Sequence, residues 1–247
     1  MMNQDGLGDV VNSGSGSVCR TLVLCDGDVA GFHAAWAARE RVAGGIGPDG
    51  AAAVAGAGEG ALPLMVAFGG SEMPGNAMMD AMTDARTDAR IRAVDVQARV
   101  LGLTTLAPIG PRGAAAEDLP GHREAIALVH ACYVAVRHGC ERVVWPAHGG
   151  QGDALDLDRV AAIADRGVLA GRLVGLDALS HRVPSIRVET PYADLTDAQV
   201  ADLFLDAELS PEGCWWWGGA EAGADGAAAE RARRRWLGTL EALGWRA

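Results

Sequence analysis

Short apolar runs and longer helical faces alternate along this chain. Residues 21–24 (TLVL) form a β-branched and aliphatic run, and similar runs recur at 63–68 (PLMVAF), 104–109, 142–145 (RVVW) and 185–188. Continuous apolar runs of this length read as strands buried on both faces of a parallel sheet. Between them the apolar spacing changes to three and four residues, the helical period. Phe32, Ala35 and Trp36 mark a first helix. Ile91, Val94, Ala98 and Val100-Leu101 give an apolar face to a helix over 84–102, stopped by Gly102. Ile126, Val129, Cys132-Tyr133 and Val136 do the same over 123–138. Residues 155–179 read as largely helical, Thr196 as the N-cap of a helix over 197–205, and 227–244 as an arginine-studded terminal helix. Strand and helix in alternation predict an α/β fold: a Rossmann-like open parallel sheet in three α/β/α layers, one domain over residues 18–247. The Gly/Ser-rich stretch 1–17 reads as a flexible tail, the Gly/Ala-rich stretch 42–62 as a surface loop, and 69–82, with four of the seven Met, as loop or weak helix.

Composition narrows the function classes. The formal net charge of −11 argues against nucleic acid as a partner. No apolar run is long enough to cross a membrane, and the N-terminus has neither the basic nor the apolar region of a signal peptide. Every basic residue other than histidine is Arg, which removes any lysine-based chemistry. Five scattered cysteines, Cys19, Cys25, Cys132, Cys140 and Cys214, form no CxxC pair, which fits a reducing cytoplasm without a disulfide framework.

The candidate chemistry starts where the first strand meets the first helix, at Cys25-Asp26-Gly27-Asp28-Val29-Ala30. A strand, a glycine turn and a helix N-terminus form a phosphate site in many nucleotide-binding folds. Here two carboxylates flank the glycine, and like charges near phosphate cost attraction. Asp26 and Asp28 either cap and turn the backbone or hold a cation that in turn holds phosphate. Cys25 is a nucleophile candidate by position, or a buried, inert thiol. His148 sits in a glycine loop after the 142–145 strand, where open α/β sheets place ligands, as a general base, a ligand group or a solvated histidine. Trp215-Trp216-Trp217 can stack a planar ligand, fill a structural gap or make an oligomer contact. Arg231, Arg233, Arg234 and Arg235 can meet phosphate or form a solvated helix face.

The order of these pieces resembles one family. VETPYADLTDAQVADLFLDAEL, a Trp-containing turn and RARRRWLGTLEALG, preceded by LPGHREAIALVHACYVAVRHGCERVVW, together resemble the 7-cyano-7-deazaguanine synthases of the PP-loop ATP pyrophosphatase superfamily, in order over residues 18–247. The resemblance implies an adenine nucleotide α-hydrolase-like (HUP) fold with a five-stranded parallel sheet. It implies ATP with Mg as cofactor, a deazapurine carboxylate as substrate and a nitrile as product, in queuosine-type deazapurine biosynthesis. It also brings His122 and Arg123, from the Pro120-Gly121-His122-Arg123 segment, into a candidate ligand pocket with His148 and Trp215.

The chain departs from the family at its functional positions. Both serines of the family's S-G-G-x-D-S loop are missing, its lysine after D-L-T is Asp197, and only Cys214 remains of the four zinc cysteines, with Ala224-Asp225-Gly226-Ala227 standing where three are expected. Zinc is therefore expected to be absent. The expectation is a catalytically degenerate relative with a binding or partner role, alone as a homodimer or beside an intact paralogue; the alternative is an active ATP-dependent carbon–nitrogen ligase.

Overall fold

The computed structural model describes residues 20–44, 62–68, 77–109, 121–179, 185–218 and 226–246. The elements run β1 (Arg20–Cys25), α1 (Val29–Ala43), β2 (Leu64–Phe68), α2 (Ala77–Leu101), β3 (Thr104–Ile109), α3 (His122–Arg137), β4 (Cys140–Val144), β5 (Gly150–Gln151), β6 (Ala154–Leu155), α4 (Leu157–Leu179), β7 (Arg187–Glu189), α5 (Asp197–Asp206) and α6 (Gly226–Ala242). Five strands make one parallel sheet in the order β3-β2-β1-β4-β7, while β5 and β6 form a separate antiparallel ribbon.

β1 is central and apolar because both its faces are covered. Its successive side chains alternate between two cores. Val23 and Cys25 join Met65 and Ala67 beneath α1, α2, α5 and α6. Leu22 and Leu24 join Val66, Val143 and the inner faces of α3 and α4. Register follows this pattern: Leu22 lies opposite Leu64 on one side and Val143 on the other. This is the three-layer α/β/α arrangement expected from the sequence. The chain winds outward from β1 through β2 to β3, then returns to place β4 on β1's other side. The carboxyl ends of β1 and β4 therefore diverge and leave a crevice between them.

Several boundaries differ from the reading above. α2 begins at Ala77, not near 84, because alanines and methionines, both strong helix formers, supply most of its first turns. Residues 150–155 pair as a short ribbon before α4 begins at Leu157, and the last sheet strand is Arg187–Glu189. The buried face of α3 is Ala127, Leu128, Ala131, Cys132 and Ala135; of the expected set Cys132 is buried and Val129 and Val136 pack partly buried against this core, while Ile126 and Tyr133 do not. Alanines four residues apart let the helix approach the sheet closely; Ile126 and Tyr133 stay exposed, and the Tyr133 hydroxyl donates to Asp177 of α4. Val100 is exposed for a similar reason, since Val94, Ala98 and Leu101 already take the inward positions. The 1–17 tail, the loop over 45–61 and residues 69–76 lie outside the described residues, as does part of the expected loop before α3.

Thr196 caps α5 as expected, in a reciprocal capping box: its hydroxyl accepts from the Gln199 N–H, and the Gln199 side chain accepts from the Thr196 N–H. This cap sets the position of Asp197, the first residue of α5.

Candidate functional site

The turn after β1 is built by its own aspartates. Asp26 Oδ1 accepts from the Asp28 N–H at 3.1 Å, and Asp28 Oδ1 accepts from the Val29 N–H at 2.8 Å, capping α1. Gly27 has φ +78°, and a Cβ there would meet the Arg90 carbonyl oxygen of α2 at 3.0 Å, so the turn requires glycine. The Gly27 carbonyl accepts from the Trp215 N–H at 3.0 Å.

Two indoles converge on Asp28. Trp216 Nε1–H donates to Oδ1 at 2.6 Å, and Trp236 Nε1–H, from α6, donates to Oδ2 at 2.9 Å. Both tryptophans are fully buried. Trp216 also packs edge-on against Trp217, with ring centroids 6.2 Å apart, and Trp217 packs against Trp245 at 5.7 Å. Burial first, and the neighbouring Asp26 charge second, push the Asp28 pKa up to about 6; the Trp216, Val29 and Trp236 donors pull against that rise. Asp28 thus ties β1, the tryptophan turn and α6 together. It also takes the capping role at the start of α1.

A second acid, this one fully buried, lies across the crevice. Asp197 has no exposed surface and accepts from Arg235 of α6 in a fork, at 2.6 Å and 2.5 Å, and from the Gly152 N–H at 2.8 Å. Arg235 also donates to the Gly150 carbonyl at 3.1 Å. A Cβ at Gly150 would lie 2.7 Å from the Asp197 nitrogen, so the ribbon approaches α5 this closely only as glycine. Burial alone would raise the Asp197 pKa, but the Arg235 and Gly152 hydrogen bonds and the Arg235 charge hold it below the usual carboxylate range. The Asp197 pairing in turn raises Arg235.

His148 connects the two. Its Nδ1 is 3.6 Å from Asp197 Oδ1 and makes no hydrogen bond among the described residues. Its ring meets the Trp236 edge at 5.9 Å, and its carbonyl accepts from Arg159 Nε at 3.0 Å. Burial lowers the His148 pKa, against the opposing pull of Asp197. Closing the 3.6 Å gap would orient an Nδ1–H on Asp197 and leave Nε2 as the proton acceptor.

These groups border a cleft of about 620 Å³ at the carboxyl ends of β1, β2 and β4, with Phe68 and Trp145 among its apolar walls. Its guanidinium groups are already engaged. Arg90 lies 3.8 Å from Asp26, Arg159 lies 3.4 Å from Glu124, and Arg235 holds Asp197. Glu124 also pairs with Arg166 at 3.0 Å. A phosphate entering here would have to break an existing pair and face Asp26 and Asp28. The residues do not fit the triphosphate and magnesium of the family's cofactor. They do not fit its zinc either. Cys214 is buried, with its thiol pKa raised by burial and by Asp28 and Asp26, and no cluster of three or more metal-ligating side chains occurs among the described residues.

The residues singled out from the sequence are only partly together. Cys25, Asp26, Asp28, Ala30 and His148 line the cleft, while Val29 is buried in the core. Cys25 is fully buried, its Sγ 3.6 Å from the Gly31 carbonyl, and burial and Asp26 raise its pKa far from the thiolate range. His122 and Arg123 open α3, and it is the next residue, Glu124, that reaches the cleft. Trp215 lines a neighbouring cavity of about 400 Å³ with Arg231 and Trp236; Arg90 lies over its ring at 4.7 Å, so one stacking face is taken.

Arg90, Glu124 and Arg159 carried no sequence signal of this role. Asp197 drew notice only as an acid where the resembled family has a lysine, and Arg235 resembles its three arginine neighbours. Fold and site together define an open parallel α/β domain with a cleft at its strand switch point. Compared with known proteins by sequence, the chain matches no protein-family model and no curated protein.

Proposed function

We propose that this chain is a divergent relative of the 7-cyano-7-deazaguanine synthases that has exchanged phosphate chemistry for structure and acts as a binding or partner subunit in the cytoplasm. One observation carries this reading. Asp28, at the tip of β1 where a phosphate-binding loop would offer backbone N–H groups, instead presents a carboxylate held by Trp216 and Trp236. The paired arginines around the cleft support it, because each guanidinium that would neutralise a phosphate already has an acid. Four free, buried cysteines fit a reducing compartment. A cleft of about 620 Å³ still accommodates a small planar ligand of the adenine or deazapurine kind against Trp145 and Phe68.

The volume and position of that cleft favour a second reading, an active ATP-dependent ligase. Calorimetric titration with ATP and AMP, together with an assay for pyrophosphate release in the presence of Mg and a deazapurine carboxylate, separates the two. The expected outcome is no measurable pyrophosphate release and no preference for ATP over AMP. Magnesium-dependent release that requires the carboxylate would establish the ligase.

A further inference from the structure

Helix α4 carries an apolar face that nothing in the described fold covers. Its inner face is Ile163, Ala170 and Val174, beside Gly171, where a Cβ would lie 3.0 Å from the Ile186 carbonyl oxygen. Stepping 100° per residue, the opposite face gathers Ala161, Asp165, Val168, Leu169, Arg172 and Leu176. Val168, Leu169 and Leu176 are 53%, 62% and 67% exposed. Of the eleven large apolar side chains that stand exposed among the described residues, five belong to α4, so this surface is concentrated rather than scattered.

We propose that a second copy of this chain docks here, the two α4 helices packing antiparallel about a two-fold axis that passes between Val168 and Leu169. The order of side chains selects that occupant. In an antiparallel pair, each residue lies opposite the one equally far beyond the midpoint on its partner. Asp165 then faces Arg172 of the second copy, and Arg172 faces its Asp165. Leu176 lies over the small Ala161 in the same reciprocal way, and at the axis Val168 of each copy meets Leu169 of the other.

Asp165 and Arg172 are seven residues apart, about 10 Å along one helix, too far to pair within it. No ion pair among the described residues involves either of them. A two-fold interface requires such self-complementarity, with the same patch serving both copies. Alanine at the Leu176 contact permits the short interaxial distance of bundle packing. Arg159 and Arg166 of α4 lie off this face, toward Glu124, so docking leaves the cleft open.

Sedimentation velocity of the full chain tests the interface through charge exchange. The parent is expected to be a dimer at tens of micromolar. Asp165→Arg places like charges opposite each other twice, as does Arg172→Asp, and each single variant is expected to weaken self-association more than tenfold. An equimolar mixture of the two variants restores both ion pairs and is expected to form a heterodimer, and the double variant in one chain is expected to recover the homodimer. Circular dichroism of each single variant verifies that it remains folded. A parent that stays monomeric, single variants that dimerise like the parent, or a mixture that fails to associate would each overturn the proposal.

Discussion

Asp28, partly buried, and Asp197, with no exposed surface, stand on either side of one cleft, and their pKa values are displaced in opposite directions. Asp28 is held by neutral donors, two indoles and a backbone N–H. Asp197 is held by a guanidinium fork and a backbone N–H. Depth costs both carboxylates, but only a full positive charge repays enough of that cost to keep the acid ionised well below neutral pH. Hydrogen bonds without charge leave Asp28 near 6, where it binds and releases a proton within the working range of most proteins. Two acids of the same type thus serve different ends: one is a permanent half of an ion pair, the other a hydrogen-bonded tie whose strength depends on pH.

The comparison breaks most severely if the indole side is removed. Trp216→Ala deletes a fully buried tryptophan together with one Asp28 donor, and chemical denaturation is expected to show a loss of about 4 kcal/mol. Trp216→Phe keeps most of the packing and loses only the donor, so about 1–3 kcal/mol is expected. If the two variants lose equally, the hydrogen bond carries the tie and the packing does not. On the ion-pair side, Arg235→Ala strands Asp197 without its cation. A loss of about 3 kcal/mol is expected, at the lower end for a broken buried pair because Arg235 is itself partly exposed. Arg235→Lys should recover only part of this, since an ammonium cannot reproduce the two-point fork.

The last expected effect is the most specific. Asp28, raised from 3.8 to about 6, contributes stability that is present below pH 4 and lost as the pH rises through 6, on the order of 3 kcal/mol. Buried His33, lowered from 6.5 to about 4 and bonded through Nδ1 to the Tyr192 hydroxyl at 2.7 Å, runs the opposite way across the same window. Its contribution is present above pH 6.5 and is lost as the pH falls through 4. Asp197, lowered, keeps its contribution through this window and loses it only at more acid pH. Burial lowers His148 in the same direction as His33, so the parent's stability should rise only shallowly between pH 4 and 6.5, whereas Asp28→Asn should gain stability more steeply as the pH rises. Parallel profiles for the two proteins would remove Asp28 from the titrating groups.

Much of the scaffold was legible in the sequence because local pattern and global fold agree. β3 was read residue for residue as 104–109, and Thr196 as a cap, from chemistry that acts over a few positions. Asp28 was read as a capping or cation-holding residue, but its indole partners lie 188 and 208 residues further along, beyond any local signal. The α3 face was read only in part: Cys132, Val129 and Val136 pack inward, but Ile126 and Tyr133 were weighted over the alanines, although close packing on a sheet favours the small residues. Asp197 reads as a departure from a family lysine; its burial against Arg235 is a property of two helices brought together, not of either segment.

The central claim is that Asp28 is committed to Trp216 and Trp236 and not to a nucleotide. Heteronuclear NMR of the seven indole N–H groups, followed through a pH titration with and without magnesium ATP, tests this most directly. Two indole resonances should move together with an apparent pKa of about 6, should lose that titration in Asp28→Asn, and should stay in place when magnesium ATP is added. If no indole pair titrates in that range, or if magnesium ATP shifts both resonances as it displaces the carboxylate, Asp28 belongs to a ligand site and the structural reading fails.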